Sequence, residues 1–331
     1  MKRFLAIALA ASMGLVFAGT ASAATVSTYA AGAAAGGIVG SKHNLGKFSS
    51  KVQAQGTTEV CVFCHTPHHA DNTASYAPAP LWNRQKSASA TYTAYGTTIG
   101  GSNITTVGGV SLACLSCHDG VTTFDNIINA PGPGMDGIAG GLAISNGITG
   151  AAAQGWTFVD GAYTGTGYSM GVLDGGTSVF NLGAGTGYTA TNADLSNDHP
   201  ISVCYSDGTA AGSCTDTTKR ASLRDRTSVI NSIDLTTGLA LTAASEDLAN
   251  QSQNRWAIKG FISSTATISD LLRNNKVECS SCHDPHFANQ TSVTADQGFT
   301  SGVDGFDESG LFLRRVGGNV GSGVCRTCHA K

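Results

Sequence analysis

Charged side chains are scarce in this sequence. They make up 12% of the 331 residues, about half the usual share in soluble domains. The formal net charge of −3 at pH 7 lacks the basic excess of a nucleic-acid-binding protein, so that class is excluded. Aromatic residues are also few, at 7%. Beyond the N-terminus no apolar run approaches the roughly 18 residues that a membrane helix needs, so no membrane span is expected.

The abundant residues are of other kinds. The chain has 43 Gly, 10 Cys and 9 His. Glycine has no side chain to bury, whereas cysteine and histidine are the residues that bind metals and cofactors. We therefore look for the chemistry of this chain in the cysteines and histidines.

The N-terminus has the pattern of a signal peptide over residues 1–23. A basic start at Lys2 and Arg3 precedes an apolar stretch, and a site of small residues ends at Ala23. We expect this segment to be removed on export. The predicted location is extracellular or at the cell surface, with the periplasm as the alternative.

Composition divides the rest of the chain into three segments. Residues 24–120 hold a Gly/Ala-rich N-terminal arm and a first cysteine block. Residues 121–265 are rich in Gly, Thr and Ser, with turn signals that predict loops and short strands. Residues 266–331 hold a second cysteine block.

A short helix is predicted where the second block begins. Ser269 can cap it, and Leu271 and Leu272 can be buried. Asn274 and Asn275 can end the helix.

The cysteine blocks contain four CxxCH motifs. This pattern is typical of covalent haem c attachment, in which two thiols bond to one haem and the histidine ligates its iron. We therefore expect four covalently attached haem c groups. The predicted attachment and proximal residues are Cys61, Cys64 and His65; Cys114, Cys117 and His118; Cys279, Cys282 and His283; and Cys325, Cys328 and His329.

Two other interpretations of the cysteines are weaker. Paired CxxC units also build zinc sites, but zinc does not need a histidine after each second cysteine. A disulfide framework is common in exported proteins, but four tightly spaced CxxC pairs fit it poorly. Haem attachment explains the histidines and the spacing together.

The motifs also indicate an internal duplication. Residues 61–68 and 279–286 share the longer pattern CxxCHxPH, and a bare CxxCH follows each of them, at Cys114 and Cys325. This repeat predicts two dihaem modules that are separated by the middle segment.

The remaining histidines are candidates for the sixth ligand of each iron. We assign His43, His68, His199 and His286 to this role, with His69 as a spare that could replace His68. Met135 and Met170 lie in Gly-rich stretches and are not expected to ligate, so all four haems should have two histidine ligands.

The place of two of these histidines predicts how the haems are arranged. His68 and His286 each follow a proximal histidine by three residues, too few to reach the far face of the same haem. Each should ligate a second haem and hold two haems close together. We expect one pair from Cys61 and Cys114 and another from Cys279 and Cys325.

Two cysteines lie outside the motifs. Cys204 and Cys214 are ten positions apart in a Gly/Ser/Thr-rich loop. In an exported protein they are expected to form a structural disulfide, worth about 3 kcal/mol in the loop-entropy model.

The ligand count points to electron transfer and away from catalysis. A haem enzyme keeps one iron position open for substrate, whereas histidines here suffice for both positions on all four irons. Three hypotheses remain open: a polymeric electron conductor, a monomeric periplasmic electron shuttle, and a multihaem reductase of nitrogen or sulfur oxyanions. A high-spin haem would favour the reductase.

The sequence resembles the OmcE-type tetrahaem extracellular cytochromes. The likeness is carried by the four CxxCH motifs and by residues 41–45, 59–68, 80–84, 198–200 and 279–286. It implies a multihaem fold of mostly irregular coil, with short α-helices at the haem motifs, minor β-structure and stacked haems as the core.

The resemblance also implies partners. Such proteins polymerise into filaments in which one iron takes a histidine from the neighbouring subunit. Electrons arrive from periplasmic or outer-membrane donors and leave to external acceptors. His43 is our candidate for the shared ligand, because it follows the N-terminal arm. The resemblance does not cover most of the middle segment.

Overall fold

The structure is a computed structural model. It describes residues 37–40, 43–46, 52–55, 57–68, 70, 81–84, 91–97, 103–104, 106–120, 122–129, 157–160, 163–165, 168–170, 192–196, 198–215, 217–233, 255–259, 261–263, 265–287, 312–315, 319 and 322–330. The predicted signal peptide, residues 24–36, His69, Met135 and much of the middle segment lie outside the described residues.

The helices of the described residues are short, and three of the four α-helices contain motif cysteines. They are α1 (Gly109–His118), α2 (Ile268–Leu271), α3 (Cys279–Cys282) and α4 (Gly323–Cys328). Single turns of 3₁₀ helix occupy Gly37–Gly40, Cys61–Phe63 and Ile230–Ser232. None of the helices in this described part is long and apolar enough to cross a membrane.

The strands are short as well. They are β1 (Gln53–Ala54), β2 (Thr91–Thr93), β3 (Gly96–Thr97), β4 (Asn103–Ile104), β5 (Phe158–Asp160), β6 (Tyr163–Gly165), β7 (Asn192–Asp194), β8 (Val203–Cys204), β9 (Trp256–Ile258), β10 (Phe261–Ser263) and β11 (Lys276–Val277).

Strand pairing joins the three segments of the chain. In a three-stranded antiparallel sheet, β5 lies between β1 and β6, with Ala54 opposite Phe158. Strand β7 pairs in parallel with β2, and β8 pairs antiparallel with β11. The middle segment therefore contributes a partner strand to both cysteine blocks. Hairpins β3–β4 and β9–β10 complete the pairing.

Three apolar clusters lie beside the motifs. The first includes Phe63 and the rings of Phe124, Phe158 and Tyr168, whose centres lie about 6 Å from one another. The side chains of Cys64 and Cys117 pack against this cluster. The second surrounds Trp256 and Ile268 and contacts Cys328. The third contains Leu112, Leu115 and Leu195. The motif cysteines thus sit at the edges of the cores.

Helix α2 begins two residues earlier than it would if Ser269 were its cap. Thr267 is the N-cap, and its backbone N–H and hydroxyl both donate to the Asp270 carboxylate, at 2.9 and 2.8 Å. The prediction of Ser269 as the cap is therefore wrong, because threonine with an acidic residue three positions later satisfies the free helix end better.

Other expectations for this region are confirmed. Leu271 and Leu272 are buried. Asn274 and Asn275 adopt φ of 51° and 62°, a left-handed conformation that asparagine tolerates at the end of a helix. The structure also contains the expected disulfide between Cys204 and Cys214.

Candidate functional site

Each cysteine motif folds as one helical turn. The backbone N–H of the motif histidine donates to the carbonyl of the first cysteine, at 2.8 Å in the first motif, 3.0 Å in the third and 2.9 Å in the fourth. The second motif lies within α1. In such a turn, residues i, i+3 and i+4 share one face, so both thiols and the imidazole of each motif lie on the same side.

After each CxxCHxPH motif, a later segment folds back against it in the same way. Residues 81–84 and 312–315 form equivalent segments, which we call the fold-back segments. His65 forms an antiparallel bridge with Trp82, and His283 forms one with Leu313.

The backbone hydrogen bonds of the two fold-back segments match. Leu81 O accepts from the residue after His65 at 2.9 Å, and Phe312 O accepts from the residue after His283 at 2.8 Å. The next bonds are Asn83 N–H to Cys64 O, 2.9 Å, and Arg314 N–H to Cys282 O, 2.8 Å. Leu81 and Phe312 share a left-handed backbone, with φ of 54° and 56°.

Each fold-back segment ends in a buried arginine. Arg84 and Arg315 are 0% and 2% exposed, and each bridges a further segment, at Ile127 and Trp256 respectively. Their guanidinium groups reach the helix of the second CxxCH motif in each block: Arg84 bonds Ser116 of α1, and Arg315 lies against Gly323 of α4.

The equivalence of these two arginines is not predicted by the sequence motifs. They follow His65 and His283 by 19 and 32 residues, so unequal spacing hides the repeat. The signal available in the sequence is an aromatic or leucine residue two or three positions before the arginine, as in Leu81-Trp82-Asn83-Arg84 and Phe312-Leu313-Arg314-Arg315.

Three of the predicted proximal histidines lie opposite a predicted distal histidine. The ring centres are 6.1 Å apart for His118 and His43, 6.1 Å for His65 and His286, and 6.4 Å for His329 and His199. The structure thus brings together residues that are distant in the sequence, in the combinations that a shared metal would require.

The ring separations fit two histidines on opposite faces of one metal. Imidazole nitrogens lie about 2.0 Å from a bound transition metal, which puts the centres of two such rings about 6.3 Å apart. Within the described part of the chain, no three His, Cys, Asp or Glu side chains gather in a way that could hold a metal ion. A structural zinc site needs four protein ligands and a catalytic one needs three, whereas haem iron needs at most two.

Two of the predicted distal histidines have the Nδ1 atom engaged. Nδ1 of His286 lies 3.0 Å from Asp284 Oδ1, and Nδ1 of His199 lies 3.0 Å from the carbonyl of Pro200. Because these oxygens accept, Nδ1 carries the proton and Nε2 keeps its lone pair for a metal. The hydrogen bond to Asp284 also raises the pKa of His286.

His43 lies inside the chain. Its Nδ1 atom is buried, and its ring centre is 4.2 Å from that of Phe312. Burial, with the neighbouring His118 as the next cause, lowers the pKa of His43 to about 3, so the imidazole is neutral and can act as a ligand. The expectation that His43 is donated to a neighbouring subunit stays a prediction.

His68 lies on the surface instead. Its carbonyl is held by the Thr66 hydroxyl at 2.8 Å and by Asn129 Nδ2 at 2.7 Å, while its ring is exposed and contacts no other ring among the described residues. His283 is exposed too. His69, the alternative to His68, is outside the described residues, and Met170 packs on the first apolar cluster.

The histidine combinations differ from the expected arrangement within each block. His286 belongs to the third motif, yet it lies beside His65 of the first motif and not beside His329. Helices α1 and α3 also pack together, and the backbone N–H of Cys279 donates to Ser111 Oγ at 3.1 Å. The two cysteine blocks interlock.

Glu278 holds the junction of these two helices. Its carboxylate is 4% exposed, accepts from the Ser111 hydroxyl and accepts from Ser202 Oγ at 3.0 Å. The same carboxylate lies against Gly108, the N-cap of α1. A negative charge at this position stabilises the N-terminus of the helix.

Burial makes three of the eight free motif thiols poor nucleophiles. It raises the pKa of Cys64 and of Cys328 to about 12 and that of Cys282 to about 11. Thiols that remain protonated at neutral pH react slowly. Cys279 differs, because a hydrogen bond with Cys114 lowers the pKa of its thiol.

Comparison with known proteins adds no assignment. No model of a known protein family matches the chain, and no curated protein sequence matches it.

Proposed function

We propose that this chain is a tetrahaem c-type cytochrome that carries electrons through haems with two histidine ligands. The observation that carries the proposal is the set of three histidine ring pairs at 6.1–6.4 Å, each joining a CxxCH histidine to a histidine from elsewhere in the chain. Bound haem iron supplies one-electron chemistry between its ferric and ferrous states.

Different residues of the chain attach the haems and ligate their irons. The eight motif cysteines provide the thioether attachments, since both thiols of a motif lie on the same face of its turn as the histidine. The four motif histidines are the proximal ligands. His43, His199 and His286 are the distal ligands for the second, fourth and first motif, respectively.

Hydrogen bonds prepare two of the distal ligands. Asp284 and the Pro200 carbonyl hold the Nδ1 protons of His286 and His199 and orient their rings. A histidine on each face would close the iron positions of the first, second and fourth motifs, which favours electron transfer over the reductase hypothesis. The iron of the third motif would need a histidine from elsewhere.

The chain arrangement supports close electronic contact between the two blocks. His286 follows the third motif by three residues and would ligate the haem of the first motif, so the first and third haems share a short piece of backbone. The contact of α1 with α3 brings the second and third motifs together as well.

Polymerisation is the second part of the proposal, and it rests on the resemblance to the OmcE-type cytochromes. The exposed ring of His68 makes it the candidate for the ligand donated to a second copy of the chain, in place of His43. Such a filament would be extracellular, receive electrons from periplasmic or outer-membrane donors and pass them to external acceptors.

An absorption spectrum and electron microscopy of the secreted protein test both parts. Four low-spin haems per chain in uniform filaments are the expected result. His68→Ala should abolish the filaments and keep the four haems attached, while His69→Ala serves as the neighbouring control. Monomers with the same spectrum would favour the periplasmic shuttle, and a high-spin haem with substrate turnover would favour the reductase.

A further inference from the structure

Arg84 is a buried cation at the meeting point of the first two motifs. Its own segment is bonded to Cys64 through Asn83, and its guanidinium reaches between Cys114 and Cys117 to Ser116. The side chain is 0% exposed. Any cofactor attached at these motifs is therefore close to a positive charge that water does not screen.

Neutral groups satisfy this cation. Nε donates to Ser116 O and Oγ, both at 3.1 Å, Nη1 donates to Phe124 O at 2.7 Å, and Nη2 donates to Ser116 O and Thr123 O at 2.7 and 2.6 Å. No carboxylate of the described residues lies within ion-pair distance of Arg84. Carbonyl dipoles solvate the charge, but they do not cancel it.

One other buried cation, Arg226, differs in this respect. Arg226, also buried, forms a bidentate pair with Asp207, with Nη2 to Oδ1 at 2.7 Å. Burying a charge without a counter-ion costs several kcal/mol unless hydrogen bonds compensate for it. A hydrophobic residue or an ion pair would fill the same space at a lower free-energy cost. We therefore expect the unpaired charge of Arg84 to have a function.

We propose that Arg84 sets the reduction potential of the haems held by the first and second motifs, a role that rests on the proposed function. Reduction of haem iron adds one negative charge. A positive charge nearby in a medium of low dielectric constant favours the reduced state and raises the potential. Because of Arg84, these haems would be reduced before the haems of lower potential.

Substitutions that separate charge from packing test this role. Arg84→Gln removes the charge and should shift the potentials of the affected haems downward in a spectroelectrochemical titration. Arg84→Lys keeps the charge and should stay close to the parent protein. Lys219→Gln removes an exposed cation, already paired with Asp225 at 2.6 Å, and should leave the titration unchanged.

A fourth variant covers the case in which Arg84→Gln does not fold. Ser116→Asp keeps the arginine and places a carboxylate beside it, because Arg84 Nε already donates to Ser116 Oγ. The ion pair neutralises the site, so the same downward shift is expected while Arg84 keeps its hydrogen bonds to Phe124 O and Thr123 O. The substitution does remove the hydrogen bond from Ser116 Oγ to Ala113 O.

The outcomes separate this inference from the proposed function. Haem content and the spin state of each variant report on haem binding itself. Four low-spin haems with unchanged potentials in both Arg84→Gln and Ser116→Asp would overturn the role of Arg84 and leave the cytochrome proposal intact. A protein without haem would overturn the cytochrome proposal first.

Discussion

The two cysteine blocks share a backbone design but differ in charge. Each CxxCHxPH motif is covered by a fold-back segment with the same hydrogen bonds, the same left-handed residue and a buried arginine at its end. In the first block, the residue before this arginine is the neutral Asn83. In the second block, the equivalent residue is a second buried cation, Arg314, whose charge acts on the carboxylates of Asp270 and Asp284.

Comparison of the two fold-back segments shows which features both blocks share. Backbone bridges to the motif histidine recur although Trp82 and Asn83 are replaced by Leu313 and Arg314. Geometry at the motif is therefore fixed by main-chain pairing, and side chains are free to differ in charge. On this account, the two blocks hold similar sites in different electrostatic surroundings.

Removal of a motif cysteine pair is expected to have the largest effect. Cys61→Ala with Cys64→Ala, and in parallel Cys279→Ala with Cys282→Ala, should each leave three haems instead of four by mass spectrometry. Each should also lower the amount of folded protein, because the two blocks interlock and the proposed haems would form part of the core. Normal yield and stability in either variant would contradict the idea that folding depends on haem attachment.

Loss of His286 should act across the blocks. His286→Ala removes the residue opposite His65, so one haem should become high-spin in the electron paramagnetic resonance spectrum, although the substitution lies in the second block. The signal should be absent when Cys61 and Cys64 are also replaced by alanine.

Removal of the fourth-motif haem is the matched control for this experiment. With Cys325→Ala and Cys328→Ala in place, His286→Ala should still give the high-spin signal. A signal that instead disappears in this background would restore the arrangement within one block that the sequence predicted.

The buried ion pair of Asp207 and Arg226 should make the stability of the chain depend on pH under acidic conditions. Burial opposes ionisation of Asp207, but hydrogen bonds from Arg226 outweigh it and lower the pKa to about 2. The pair therefore contributes stability above the ordinary carboxyl pKa of about 3.9, and this contribution is lost as the pH falls towards 2.

The corresponding substitution is Asp207→Asn. It leaves Arg226 buried without its partner and should cost about 3–5 kcal/mol in urea unfolding at pH 7. Asp225→Asn, in the exposed pair with Lys219, should change the free energy of unfolding by less than about 1 kcal/mol. An equal loss of unfolding free energy in Asp207→Asn and Asp225→Asn would contradict the view that the buried pair stabilises the protein more than the exposed pair does.

Glycines at the second motif of each block should show a smaller, matched effect. A Cβ at Gly108 would overlap the Glu278 carboxylate, and one at Gly323 would overlap the Arg315 guanidinium. Gly108→Ala and Gly323→Ala should each destabilise the protein by about 1–3 kcal/mol in urea unfolding. Exposed Thr106→Ala is the control, and unchanged stability in both glycine variants would show that the charged side chains can move aside.

Local features of the site could be predicted from the sequence, but its long-range contacts could not. CxxCH spacing is local chemistry, and the disulfide of Cys204 and Cys214 joins two cysteines that are close in the chain. The approach of His286 to His65 joins the two cysteine blocks across the chain, and no local sequence pattern reports such a long-range contact. The cap of α2 was misassigned to Ser269 because a neighbouring threonine competes for the same position.

The most direct test of the cytochrome proposal is a haem count with a spin-state measurement on the oxidised, full-length secreted protein. Intact mass should show four haems per chain, and electron paramagnetic resonance should show only low-spin ferric iron. A chain without covalently attached haem, or one with metal held only by the thiols, would contradict the account.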